Sequence, residues 1–221
     1  MKAAALLALV ALAAAGVAQS QTRPTLAFRG DAGMVWVRSD TGPAGAGGGI
    51  AQLRGPVIGG EGRVVFPALS VGLGFLSGTL HAPGGGGGSA QRDLIEGRMF
   101  VAARALPWLE MSLGPTVRAY VTDSATERWV FWQARARVDA PIVPDRLTSY
   151  LEAWRALSSR VNLTSGAGRV QGGEAGVVYR PPRRPFWVRL AYRVDDAALG
   201  TGGAVSETLE ALSVAVGVGN W

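Results

Sequence analysis

The chain has 221 residues, a single His, no Cys and a formal charge of +6, with a sequence pI near 10.7. The missing Cys excludes a disulfide framework, a lipid-anchored Cys and a thiolate metal site. Lys2 is the one Lys among 22 basic residues, and the arginines are spread evenly, with no cluster or aromatic platform, which argues against nucleic-acid binding.

The chain opens with MKAAALLALVALAAAGVAQSQ. Lys2 supplies a minimal charged start, Ala3 to Ala15 an apolar stretch, and Gly16-Val17-Ala18 the small residues of a cleavage site. This predicts a secretory signal peptide over 1–18, cleaved after Ala18, with 19–221 as one domain. No later stretch reaches the roughly 18 apolar residues of a spanning helix, yet mean hydropathy is positive at +0.19.

Segments of period-two alternation follow, near 26–38, 55–66, 68–80, 93–104, 108–121, 127–139, 147–157, 170–180, 186–195 and 207–218. The connections between them alternate in length. SDTGPAGAGGGIAQLR, HAPGGGGGSAQR, SSRVNLTSGAG and DDAALGTGGAVS are long; FPA, ALPW and PPRRP are short. An antiparallel hairpin series whose two ends face different surroundings gives this asymmetry.

Each segment divides into two faces. Between 109 and 121, Leu109, Met111, Leu113, Val117, Ala119 and Val121 oppose Glu110, Ser112, Gly114, Thr116, Arg118 and Tyr120. The tripeptide EGR occurs twice, as Glu61-Gly62-Arg63 and Glu96-Gly97-Arg98, with both charges on the polar face. The segment between them sets Leu69, Val71, Leu73 and Phe75 against Ser70, Gly72, Gly74, Leu76 and Gly78. Those mostly small residues leave room for the four charges to pair with one another across that strand. The last segment sets Leu212, Val214, Val216 and Val218 against Ala211, Ser213, Ala215 and Gly217. Trp36, Phe66, Trp108, Trp129, Tyr179 and Phe186 lie near strand ends, as interfacial girdles do.

These features resemble the small bacterial outer-membrane β-barrel proteins, from about residue 25 to 221. The resemblance implies an all-β, antiparallel up-and-down transmembrane barrel of about ten strands, with short periplasmic turns and longer extracellular loops. It implies outer-membrane lipid as surroundings, and barrel-assembly machinery as a partner that reads the final strand, TLEALSVAVGVGNW. Trp221 departs from that pattern: it is in phase with Ala215, Gly217 and Gly219, not with the valines, and a bulge near Gly219-Asn220 would restore the phase. Ten-stranded relatives of this class include proteases that need a His and acids at the rim; here the only His is His81, beside PGGGGGSA.

The predicted lumen set is Arg29, Asp31, Glu61, Arg63, Glu96, Arg98, Glu110, Arg118, Arg135, Arg137, Glu152, Glu174, Arg189 and Arg193. Interleaved acids and bases fit a salt-bridge network filling a narrow barrel; an Arg-biased passage for small anions is the second reading. No catalytic residue, metal site or cofactor is selected. His81 could meet Ser77 or Ser89 only by chance, Asp195-Asp196 and Asp139/Asp145 lack the spacing of a calcium loop, and the five-Gly run lacks GK[ST]. The expected function is a non-enzymatic structural barrel or narrow passive conduit. A rim-site hydrolase and a soluble periplasmic ligand-binding barrel are the alternatives.

Overall fold

A computed structural model describes residues 27–43, 51–83, 91–122, 125–162, 167–199 and 205–219. The signal segment 1–18, Ser89 and Trp221 lie outside them. Ten strands run in chain order: β1 (Ala27–Pro43), β2 (Ala51–Val65), β3 (Leu69–His81), β4 (Gln91–Leu106), β5 (Leu109–Val121), β6 (Thr126–Val143), β7 (Leu147–Val161), β8 (Ala167–Tyr179), β9 (Phe186–Leu199) and β10 (Val205–Gly219). Each pairs antiparallel with its chain neighbours, and β1 pairs with β10 to close the barrel. Closure leaves no unpaired edge, which is the condition for strands to cross a bilayer.

On the short-connection side, here called the turn end, the strands begin and end within two residues of the sequence boundaries, except β6, which runs on to Val143. On the other side, the loop end, they run further than the alternation indicated. The β1–β2 ladder continues to Thr41 opposite Ala51, and the β1–β10 ladder to Pro43 opposite Val205. Much of 39–54, read from its glycines as a loop, is therefore ladder. The alternation fades there because these segments stand beyond the apolar layer. A spanning strand needs about 9–11 residues, whereas β1 has 17 and β6 has 18.

Turn chemistry fixes the other end. Phe66 N–H donates to Leu69 O at 2.8 Å, and Arg146 N–H to Val143 O at 3.1 Å. Asp145 and Arg183 sit at positive φ, 60° and 61°, in the turns PDR and PPRRP. Gly114 permits one close approach: an added Cβ there would strike the backbone of Met99 and Phe100 on β4.

The two faces are sorted by polarity in the reverse of a soluble barrel. Leu73 and Leu151 are 59% and 62% exposed on the outside, while Glu96 and Arg118 are each 4% exposed inside. Met34, Ile58, Met99, Val130, Leu190 and Val216 continue the outer apolar belt. Turning the charged face outward instead would put many arginines into lipid, each at about 2–4 kcal/mol near the midplane. The fold is thus a transmembrane β-barrel. Trp36, Phe66, Trp108, Tyr179 and Phe186 are exposed on its rims, as expected of girdle residues. Trp129 is not: it is 2% exposed and points inward, because it shares the parity of Phe131 and Gln133.

Candidate functional site

The interior has three zones. At the turn end Tyr150, Val178, Trp187 and Ala191 pack together. The loop-end half is apolar on both sides of the barrel. Val35, Val37, Leu53, Val57, Leu76, Leu80, Leu94, Tyr120, Leu209 and Ala211 form one cluster, and Trp129, Phe131, Val170 and Ala197 another. Leu80 and Leu94 are fully buried. The charged set named from the sequence does not extend into this half, and its apolar filling is an addition to that reading. Its signal is present in the runs MVWV and RWVFW, which lose period two because both faces are apolar there.

Between these zones lies the charged layer, and every residue of the predicted lumen set takes an inward-facing position. Arg63 donates to Glu61 at 2.6 Å and to Glu110 at 2.8 Å. Glu61 also pairs with Arg98, across Gly74 of the intervening β3. Asp31 accepts from Glu61 N–H at 3.2 Å and from Arg189 at 3.3 Å. Arg189 reaches Glu174 at 3.2 Å, which also accepts from Tyr150 Oη at 2.6 Å. On the β6–β7 wall, Arg135 pairs with Glu152 at 2.7 Å and with Gln133, while Arg137 pairs with Asp139 at 2.8 Å. Arg29 is buried at the turn-end side of this layer.

The second EGR behaves differently from the first. Glu96 does not pair with Arg98. It holds Arg118 at 2.6 Å and Arg193 at 2.8 Å, and both arginines share Asp195. Strand geometry is the reason: Glu96 stands opposite Arg118 in the β4–β5 register, while Arg98 stands opposite Gly74 and leans toward Glu61.

Aromatic rings complete the packing. The guanidinium carbons of Arg63 and Arg98 lie 5.0 and 5.5 Å from the Phe100 ring centre, which fits because Gly72 opposite has no Cβ to strike the ring. Arg135 and Arg193 approach Trp154 at 4.5 and 5.2 Å. Such cation–π contacts gain strength where water is scarce. At the turn-end mouth, burial lowers the Arg180 guanidinium from its ordinary value, against the opposing pull of Asp139 and Asp145.

The predicted set lacks Asp139 and Asp195, although they share its parity. With them, the charged layer holds as many carboxylates as arginines among the described residues. The Tyr120–Glu207 hydrogen bond inside the apolar half was also missed. The two free spaces within the layer are about 30 and 80 Å³, room for a few waters.

The residues considered for chemistry stay apart. Ser77 and His81 lie on the same outer face of β3, four residues or about 13 Å along the strand, too far for a nucleophile–base hydrogen bond. Asp195 points inward to Arg118 and Arg193, while Asp196 lies 3.6 Å from Arg169. No cluster of three or more metal-ligating side chains occurs among the described residues.

No protein-family description and no curated protein matches the chain. Its structural neighbours are outer-membrane β-barrel proteins. Neisserial surface protein A is 14% identical, covering 86% of this chain and 96% of its own, with a TM-score of 0.36. Ail, the attachment invasion locus protein of Yersinia pestis, is 11% identical over 86% and 97%, with a TM-score of 0.34. The P. putida toluene transporter TodX is 8% identical over 90% of each chain, with a TM-score of 0.36. At such identities and TM-scores the likeness carries no argument about this chain.

Proposed function

We propose that this protein is a non-enzymatic structural barrel of the bacterial outer membrane, with its turn end in the periplasm and its loop end outside the cell. The apolar belt supports the membrane placement, and the length asymmetry of the connections supports the orientation. In this reading the final strand is what the barrel-assembly machinery recognises; Gly219, at φ 99°, leaves the extended conformation just before the terminal aromatic.

Of the structural-barrel and conduit readings, the closed interior favours the first. The single observation that carries this is the stacking of two seals: Leu80 and Leu94 fully buried toward the loop end, above the Glu96–Arg118–Asp195–Arg193 cluster. A solute would have to break both. Matched charges also remove the Arg excess that an anion passage needs. Planar-bilayer recording tests this. The purified barrel should insert without steady conductance, whereas Leu80→Ser/Leu94→Ser/Arg118→Ser should conduct. Steady anion-selective current through the unaltered protein would favour the conduit.

A further inference from the structure

We propose that one side of the turn-end rim, where the β6–β7 and β8–β9 turns meet, binds the head groups of anionic phospholipids in the leaflet around it. This rests on the membrane placement of the barrel and not on which way the barrel faces.

The connections at the turn end are unequal in charge. FPA (66–68) and PW (107–108) carry none, whereas PDR (144–146) and RPPRRP (180–185) carry four arginines and one aspartate. These two turns touch: Arg180 N–H donates to Arg146 O at 2.7 Å. The charge is therefore one patch on one side of the rim. Arg146, Arg183 and Arg184 are exposed and enter no ion pair among the described residues. Asp139, at the end of β6, is already held by Arg137 at 2.8 Å, which leaves Asp145 as the carboxylate of the patch. Arg183 adds a second observation. It sits at φ 61°, where Gly or Asn is accommodated at lower cost than a long side chain. The turn gains no ion pair from Arg183 in return, so its charge is available to a partner outside the chain.

Lipid is the partner because these arginines stand at the edge of the outer apolar wall. Ile142, Val143, Tyr179 and Phe186 are exposed beside them, on strands whose outer faces carry Val138, Leu151 and Leu190 of the belt. Phe186 is two residues from Arg184, no more than about 7 Å along the chain. That matches the depth of the head-group layer, roughly 5–8 Å on each side of the hydrocarbon. A guanidinium at that height meets phosphate oxygens, with which its forked donors pair well, while acyl chains cover the aromatic and aliphatic side chains next to it. A soluble acidic polymer would meet the arginines but leave those side chains in water. A zwitterionic head group brings its own cation into a basic patch; an anionic one does not, and surface arginines favour it for that reason.

The test uses the full mature chain in nanodiscs of phosphatidylcholine with a rising share of phosphatidylglycerol, with backbone amide resonances followed by NMR. Phosphatidylglycerol should shift the amides of Arg146, Arg183 and Phe186 in a saturable way and leave that of Phe66, in an uncharged turn, in place. Arg183→Asn should raise the half-saturating share about five-fold, the contribution of one surface arginine. Arg146→Gln/Arg183→Gln/Arg184→Gln should abolish saturation, and Arg155→Gln, on the outer wall toward the other end, should change nothing at these turns. Equal shifts at Phe66 would mean a general surface potential, and unchanged half-saturation in both turn variants would place the lipid elsewhere. Equal shifts from poly-glutamate added to pure phosphatidylcholine nanodiscs would mean a soluble acidic partner; each of these results overturns the proposal. A folded, inserted barrel that does not respond sinks this surface alone, while failure to enter the nanodisc sinks the membrane reading and this proposal with it.

Discussion

Arg98 of β4 reaches over Gly74 of β3 to pair with Glu61 of β2, a contact between residues on strands that are not neighbours. The glycine between them makes this possible. A Cβ at position 74 would stand 2.7 Å from Arg98 Nε.

Gly74→Val should therefore separate the pair without touching either charge. Parting a buried ion pair costs on the order of 3–5 kcal/mol, less wherever cavity water reaches the exposed charge. Urea unfolding in lipid vesicles measures it. A change under about 0.5 kcal/mol would mean that the Glu61–Arg98 contact contributes nothing, since substitutions away from such features usually stay within that range.

Glu96→Ala should also destabilise, because it leaves Arg118 and Arg193 to share Asp195. The sequence pattern suggests rescue by Arg98→Ala, since Glu96 and Arg98 repeat the EGR spacing. The structure moves the rescue to Arg118. Glu96→Ala/Arg118→Ala leaves Arg193 with Asp195 as a matched pair and should recover part of the loss, with a coupling energy of about 0.5–3 kcal/mol. Glu96→Ala/Arg98→Ala should be worse than Glu96→Ala, because it also removes one of the two arginine partners of Glu61.

Met99 is 54% exposed on the outer belt. Met99→Arg should cost about 2–4 kcal/mol in vesicles if it lies near the midplane. Ala102→Ser should be mild, because Ala102 faces inward between Ser70 and Ser112 in the β3–β4–β5 registers. A harmless Met99→Arg would show that this face does not touch lipid.

Orientation can be read with trypsin. The connections 44–50, 84–90, 163–166 and 200–204 contain no Lys or Arg, and Arg38 and Arg54 sit in ladders. Arg146 and Arg183 lie in the turns, with Arg183 exposed at φ 61°. Trypsin on intact cells should spare Arg146–Leu147 and Arg183–Arg184, then cut there once the outer membrane is permeabilised. Cleavage at either bond in intact cells would invert the barrel.

The barrel was legible because its middle keeps a strict period of two: Glu96 and Arg98 against Ile95 and Met99, Arg189 and Arg193 against Leu190 and Tyr192. Parity assigns each side chain to a face, and the cost of arginine in lipid assigns the charged face to the inside. What alternation cannot carry is height along the barrel. Val35, Trp129 and Phe131 share the parity of charged residues yet lie in the two apolar clusters of the loop-end half, and only the three-dimensional level of neighbouring strands places them there. Pairing across the interior was equally hidden. Arg118 and Asp195 stand 77 residues apart and on non-adjacent strands, so no local spacing announces their contact. Strand ends at the loop side were misplaced because Gly-rich ladder and Gly-rich loop look alike in one dimension.

Heat-modifiability of the urea-washed membrane fraction on a detergent gel tests most directly the claim that this chain is an inside-out, membrane-embedded barrel. The account predicts that the protein stays with the membranes, runs as a compact band without boiling, and shifts to its full mobility position after boiling. Recovery as a soluble periplasmic monomer without detergent, at one mobility before and after boiling, would contradict it.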